Sequence, residues 1–118
     1  KTVAEKYRSA LKDIQGIRVL EDIEGVRHNY SYFPIFIDEK AYGISRDDLY
    51  AKLKEHNIYG RRYFYPLIST FSAYKGLESA NRKNLPIAHK LADQVLCLPM
   101  FAGLNEEDVE RVIDVVSK

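Results

Sequence analysis

The chain has 118 residues, 46% hydrophobic and 30% charged, a composition that fits one soluble globular domain with a single core. Eighteen Lys and Arg stand against seventeen Asp and Glu, so the formal net charge is only +1, and neither nucleic acid nor an anionic membrane surface is expected as a partner. The single cysteine, Cys97, excludes an internal disulfide framework and a multi-cysteine zinc site.

No apolar run approaches the roughly 20 residues of a membrane span. No basic-then-apolar stretch of signal type opens the sequence, and the expected setting is reducing and cytoplasmic. The chain starts at Lys1 and its only methionine is Met100. Val3, Tyr7, Ala10, Leu11 and Ile14 follow at helical spacing with no capping residue before them. The expectation is a piece of a longer product, entered part-way through a helix.

That first helix is expected to stop at Gly16, a good C-terminal residue, with Ile17–Leu20 as a short strand and residues 21–29 as a polar connection. Tyr30–Asp38 is rich in aromatic and β-branched residues and reads as the strongest strand. Pro34 inside it predicts an edge position or a bulge, because proline has no N–H for the ladder. Glu39–Gly43 turns the chain. Ser45 caps the next helix with Asp48 three residues on, and Ile44, Leu49, Leu53 and Ile58 line its buried side.

Ile58–Phe64 is expected to be another strand, stopped at Tyr65-Pro66. Leu67–Asn84 has no clear period and reads as a long loop or broken helix. Pro86 opens a helix to Val95 as its first residue, and Leu96–Pro99 is a short buried strand. Asn105 caps a final helix with acid in its first turn and a stripe of Val109, Val112, Ile113 and Val116. The order predicts an α+β fold, a small mostly antiparallel sheet with helices packed on one face.

Nine tyrosines and five phenylalanines cluster in two places, Tyr30–Phe33 and Arg61–Pro66. Arg61 and Arg62, adjacent on a strand, point to opposite faces. An arginine beside tyrosine hydroxyls can bind a phosphate or carboxylate through charge-assisted hydrogen bonds; the alternative is a half-exposed strand with both arginines in solvent. His28 either orients a ligand or is a surface loop residue. His56 sits where a helix C-terminus favours a cation, and His89 lies on a helix without a partner at metal-ligand spacing. Cys97 between two leucines reads as a buried structural thiol. No phosphate loop, nucleophile elbow or metal motif is present, so no catalytic, cofactor-binding or metal-binding residue is assigned.

Several segments together carry a resemblance. They are Tyr7-Arg8-Ser9-Ala10-Leu11, His28 to Phe33, Ser45 to Leu49, Leu53 to Ile58, Tyr63-Phe64-Tyr65-Pro66-Leu67 with Ala73-Tyr74, Leu85 to Ala88, and Val95 to Met100. In this order, over about 110 residues, they resemble the C-terminal small domain of the DegT-type sugar-nucleotide aminotransferases, enzymes of fold type I.

The resemblance implies a single small domain over residues 1–118, with residues 1–15 the end of an interdomain helix. It implies pyridoxal phosphate held mainly by a large domain that this chain does not include. Glutamate and a nucleotide-linked keto-sugar, of the deoxythymidine-diphosphate 6-deoxy type, would be the substrates, on the way to surface polysaccharide, and the enzyme a homodimer. His28, Asn29 and Tyr30, with Arg61, Arg62, Tyr63 and Tyr65, are the residues it points to for contacts with the sugar nucleotide and the donor carboxylate. Many members carry His-Tyr-Pro where this chain has Tyr63-Phe64-Tyr65-Pro66, so no histidine role carries over there. The alternative function is a stand-alone, non-catalytic binding module with the same small-domain fold.

Overall fold

The computed structural model describes residues 1–118. Its elements run α1 (Thr2–Leu11), β1 (Ile17–Val19), β2 (Phe33–Ile37), α2 (Glu39–Tyr42), α3 (Arg46–Glu55), α4 (Pro86–Gln94), β3 (Val95–Leu98) and α5 (Glu106–Ser117), with three 3₁₀ turns between Ile68 and Asn84. The three strands form one antiparallel sheet in the order β1-β2-β3.

Phe33, Ile35 and Ile37 of β2 and Leu96 and Leu98 of β3 point to one face of the sheet. Against them lie Ala4, Tyr7 and Leu11 of α1, Leu49 and Leu53 of α3, and Val109, Val112, Val115 and Val116 of α5. Burial of these apolar faces is the main stabilising term. Polar ties fix how the helices sit. Lys6 Nζ donates to Glu106 Oε1 at 2.7 Å and to Glu110 Oε1 at 2.9 Å, and the buried Tyr7 hydroxyl donates to the Pro99 carbonyl at 3.1 Å.

Local signals decide several helix ends. Ser45 and Asp48 form a full capping box: Asp48 N–H donates to Ser45 Oγ at 3.0 Å, and Ser45 N–H donates to Asp48 Oδ2 at 3.3 Å. Asp108 N–H donates to Asn105 Oδ1 at 2.7 Å, and Pro86 opens α4. His56 closes α3, its Nδ1 2.9 Å from the Lys52 carbonyl.

Several expectations need correction. Helix α1 ends at Leu11, not at Gly16; a tight turn with Ile14 N–H on the Leu11 carbonyl follows, and Gly16, at φ +80°, turns the chain into β1. Strand β2 begins at Phe33, because Tyr30 adopts φ +53°, outside strand geometry. Glu39–Tyr42, expected as a turn, is one helical turn capped by Asp38. The strand expected over Ile58–Phe64 is reduced to a single bridge between Arg61 and Cys97.

Pro34 was expected at an edge or a bulge, yet β2 is the central strand and its register with β3 runs unbroken through Pro34. The ladder shows how proline is accommodated. Cys97 exchanges both its backbone hydrogen bonds with Arg61, at 2.9 and 2.7 Å, so its N–H and C=O point away from β2. Pro34, opposite Cys97, is therefore a non-hydrogen-bonded pair on that side. On its other side β1 pairs only as far as Val19 with Ile35. The missing N–H thus faces a position where no ladder bond is required.

Candidate functional site

The free edge of β3 builds the site. Gly60 brings the incoming backbone close to it: a Cβ there would lie 3.1 Å from Leu96 Cδ1 and 3.2 Å from the Cys97 carbonyl oxygen. Arg61 then bridges to Cys97, and a turn with Tyr65 N–H on the Arg62 carbonyl peels the chain away. Side chains alternate across this one-residue bridge, so Arg61 and Arg62 part company.

Arg61 enters a cleft of about 450 Å³ walled by Tyr32, Tyr59, Tyr63, Pro99, Met100 and Phe101. Its Nη1 donates to the Tyr63 hydroxyl at 2.7 Å. The Tyr63 ring meets Tyr32 edge-on at 5.2 Å and Phe64 at 5.1 Å. No carboxylate lies within salt-bridge distance of Arg61, whereas Arg46 and Arg62 both pair with Asp47. Cys97 is buried at the floor, and burial pushes its thiol up, a backbone hydrogen bond from Tyr63 only partly opposing this. It is a poor nucleophile as placed.

Arg62 turns instead toward α3. Its Nη1 donates to Asp47 Oδ1 at 2.9 Å, and its guanidinium stacks 4.6 Å from the Tyr50 ring and 5.3 Å from the Tyr65 ring. A wider, more open depression of about 660 Å³ runs along this side, from Tyr50 past Tyr65 to Phe71. Burial alone would raise the Asp47 carboxyl, but Arg62 and Arg46 outweigh it and hold it below the usual carboxylate range.

The other segment, His28 to Tyr30, forms its own cluster. The Tyr30 hydroxyl donates to Asp22 Oδ2 at 2.8 Å, and Arg8 Nη2 donates to Asp22 Oδ1 at 2.8 Å. The hydrogen bond from Tyr30, helped by Arg8, holds the Asp22 carboxyl below its ordinary value and in turn raises the Tyr30 phenol. The Asn29 side chain accepts from Ser31 N–H at 3.1 Å, and the His28 ring lies 5.8 Å from that of Tyr30. No hydrogen bond or ring contact joins His28, Asn29 or Tyr30 directly to residues 61–65. The link between the two segments is Tyr32 against Tyr63.

Sequence reasoning missed Tyr32, Tyr59 and Phe101 as cleft walls, and missed Arg46. No local sequence signal marks them: Tyr59 and Phe101 are 65% and 61% solvent-accessible, and only the fold gathers these rings round one arginine. No group of three or more His, Cys, Asp or Glu converges as metal ligands would.

The structure is thus a small α+β domain with an arginine set in an aromatic cleft at a sheet edge. The DegT/DnrJ/EryC1/StrS aminotransferase family matches residues 1–117, and the chain belongs to that family. The chain is 48% identical over 112 residues, 95% of its length, to a dTDP-4-amino-4,6-dideoxy-D-glucose transaminase of Escherichia coli, and 42% identical over 111 residues to one of Shigella dysenteriae. It covers 30% and 29% of those proteins, so it spans about a third of the curated relatives it matches. Among solved structures, DesI with its TDP-sugar product superimposes with a TM-score of 0.88 at 31% identity, over 98% of this chain and 29% of that one. DesV of S. venezuelae with a ketimine intermediate gives 0.86 at 27% identity, over 98% of this chain and 29% of that one.

The family implies pyridoxal phosphate, which needs a lysine for its Schiff base and an acid for its ring nitrogen. Neither cleft beside Arg61 and Arg62 is lined by a lysine or a carboxylate. The residues of this chain do not fit that cofactor as its holders.

Proposed function

We propose that this chain is the small domain, over residues 1–118, of a cytoplasmic, homodimeric pyridoxal-phosphate aminotransferase. The enzyme moves an amino group from glutamate to the ketone of a deoxythymidine-diphosphate-linked 6-deoxy sugar. Helix α1, Thr2–Leu11, is the end of the segment that joins this domain to a large domain holding the cofactor. The carrying observation is the 48% identity, over 95% of the chain, to the E. coli transaminase.

In this reading the chain binds and orients and does not itself catalyse. Arg61 offers its unspent N–H donors to a diphosphate or carboxylate oxygen, in a cleft where aromatic walls lower the local dielectric and strengthen the pair. Tyr63 holds the guanidinium in place through its hydroxyl. His28 and Asn29, on the loop fixed by Tyr30, Asp22 and Arg8, contact the ligand from the other segment. Arg61→Gln in the full-length enzyme is expected to raise the KM for the sugar nucleotide or for glutamate about 10- to 100-fold, the value of one hydrogen bond to a charged group. Unchanged values for both substrates would remove Arg61 from the site.

A further inference from the structure

We propose that Asp47 is a positioning residue for the Arg61–Tyr65 segment, holding Arg62 and Tyr65 against α3 so that Arg61 alone faces the cleft. The inference rests on the site reading above for its functional consequence, but its geometry stands separately.

Asp47 Oδ1 accepts two hydrogen bonds, from Arg46 Nε at 2.8 Å and from Arg62 Nη1 at 2.9 Å. It is the only carboxylate within 4.0 Å of either guanidinium. Arg46 cannot swing: it is 3% exposed, and its Nη1 donates to the Ala92 and Val95 carbonyls at 2.7 and 2.8 Å, where α4 runs into β3. Both guanidinium groups also lie over the Tyr65 ring, at 4.9 Å for Arg46 and 5.3 Å for Arg62. Two like charges thus lie against one ring, and the Asp47 carboxylate that both of them contact offsets their repulsion. Asp47 therefore ties Arg62 to a buried, thrice hydrogen-bonded arginine at the start of α3. Arg62 and Tyr65 become struts, and the division of labour between the adjacent arginines follows: Arg62 is neutralised by Asp47, whereas the only hydrogen-bond partner of the Arg61 side chain is a tyrosine hydroxyl.

The test uses the full-length protein with Asp47→Asn, Arg62→Gln and both together. Hydrogen exchange read by mass spectrometry is expected to quicken about fivefold or more at the amides of Arg61 and Tyr65 in each variant, with α5 unchanged, as a local opening requires. In steady-state kinetics the KM of the substrate that Arg61 binds rises several-fold while kcat stays within about twofold, and the double variant falls short of the sum of the two single effects because the Asp47–Arg62 contact is common to both. Unchanged exchange over residues 59–67, an equal rise through α5, or additive effects on KM would each overturn the inference. If Asp47→Asn does not fold, Arg62→Gln carries the same exchange test. A wild-type enzyme that transfers no amine would sink the proposed function, and the exchange result would still decide the role of Asp47.

Discussion

Replacing Arg46 with methionine probes the best-buried polar group in the chain. The change keeps much of the aliphatic stem and removes three hydrogen bonds: to the Ala92 and Val95 carbonyls at 2.7 and 2.8 Å and to Asp47 at 2.8 Å. Hydrogen bonds to a charged donor contribute about 1.5–3 kcal/mol each, and a buried carbonyl left without a donor costs about 1–3 kcal/mol. Relief of the desolvated guanidinium offsets several kcal/mol of that sum. Asp47 loses little, since its side chain is 55% accessible and retains Arg62. The net loss is about 2–4 kcal/mol, and Arg46→Lys, which keeps the charge and one carbonyl bond, should lose roughly half as much.

Urea unfolding of the 118-residue chain, followed by far-ultraviolet circular dichroism, measures both. The pH dependence adds a second reading. The folded Asp47 carboxyl is held below its ordinary value, so its contribution is present above the ordinary carboxylate range and lost as pH falls through the folded value. Arg46→Met should flatten part of that acid limb. A methionine variant within about 0.5 kcal/mol of the parent, the scatter of ordinary surface changes, would refute the reasoning.

Gly16→Ala should destabilise by clearly more than about 1 kcal/mol, because the position is left-handed and the new Cβ would sit 2.3 Å from Tyr42 N. Gly25→Ala, at φ +77° with open space around it, isolates the conformational part; equal losses would contradict the steric argument. Burial, aided by the Asp108 charge, pushes the Tyr7 phenol far above its usual value. Its contribution is therefore complete below about pH 10 and is lost as pH rises beyond that, while Tyr7→Phe costs about 1 kcal/mol at neutral pH and removes part of the alkaline loss. Thermal melting across the alkaline range checks this; identical alkaline limbs would count against it.

Features set by neighbouring residues were legible in the sequence. The Ser45 and Asp48 capping box, the Asn105 cap and Pro86 at the start of α4 appear where spacing placed them, and the α5 stripe does so at Val109, Val112 and Val116, with Val115 buried in place of the half-buried Ile113. Features set by distant partners were not. The stretch after Ile58 has strand composition, but only Arg61 finds a ladder partner before the turn at Arg62–Tyr65 draws the chain off. Pro34 looked like an edge residue because its one open side depends on where β1 ends. Arg46 follows a capping serine in a polar first turn, where nothing local announces burial; the carbonyls it satisfies lie 46 and 49 residues away. Opposite directions for Arg61 and Arg62 followed from strand alternation, but which one faces the cleft depended on where α3 packs.

The most direct test of the account is amino transfer by the full-length gene product. With ¹⁵N-labelled glutamate and a deoxythymidine-diphosphate 4-keto-6-deoxy sugar, mass spectrometry should find the label in an amino sugar nucleotide, with pyridoxal phosphate bound to the protein. A full-length product that binds no cofactor and leaves the label on glutamate would contradict the aminotransferase reading and leave a binding module in its place.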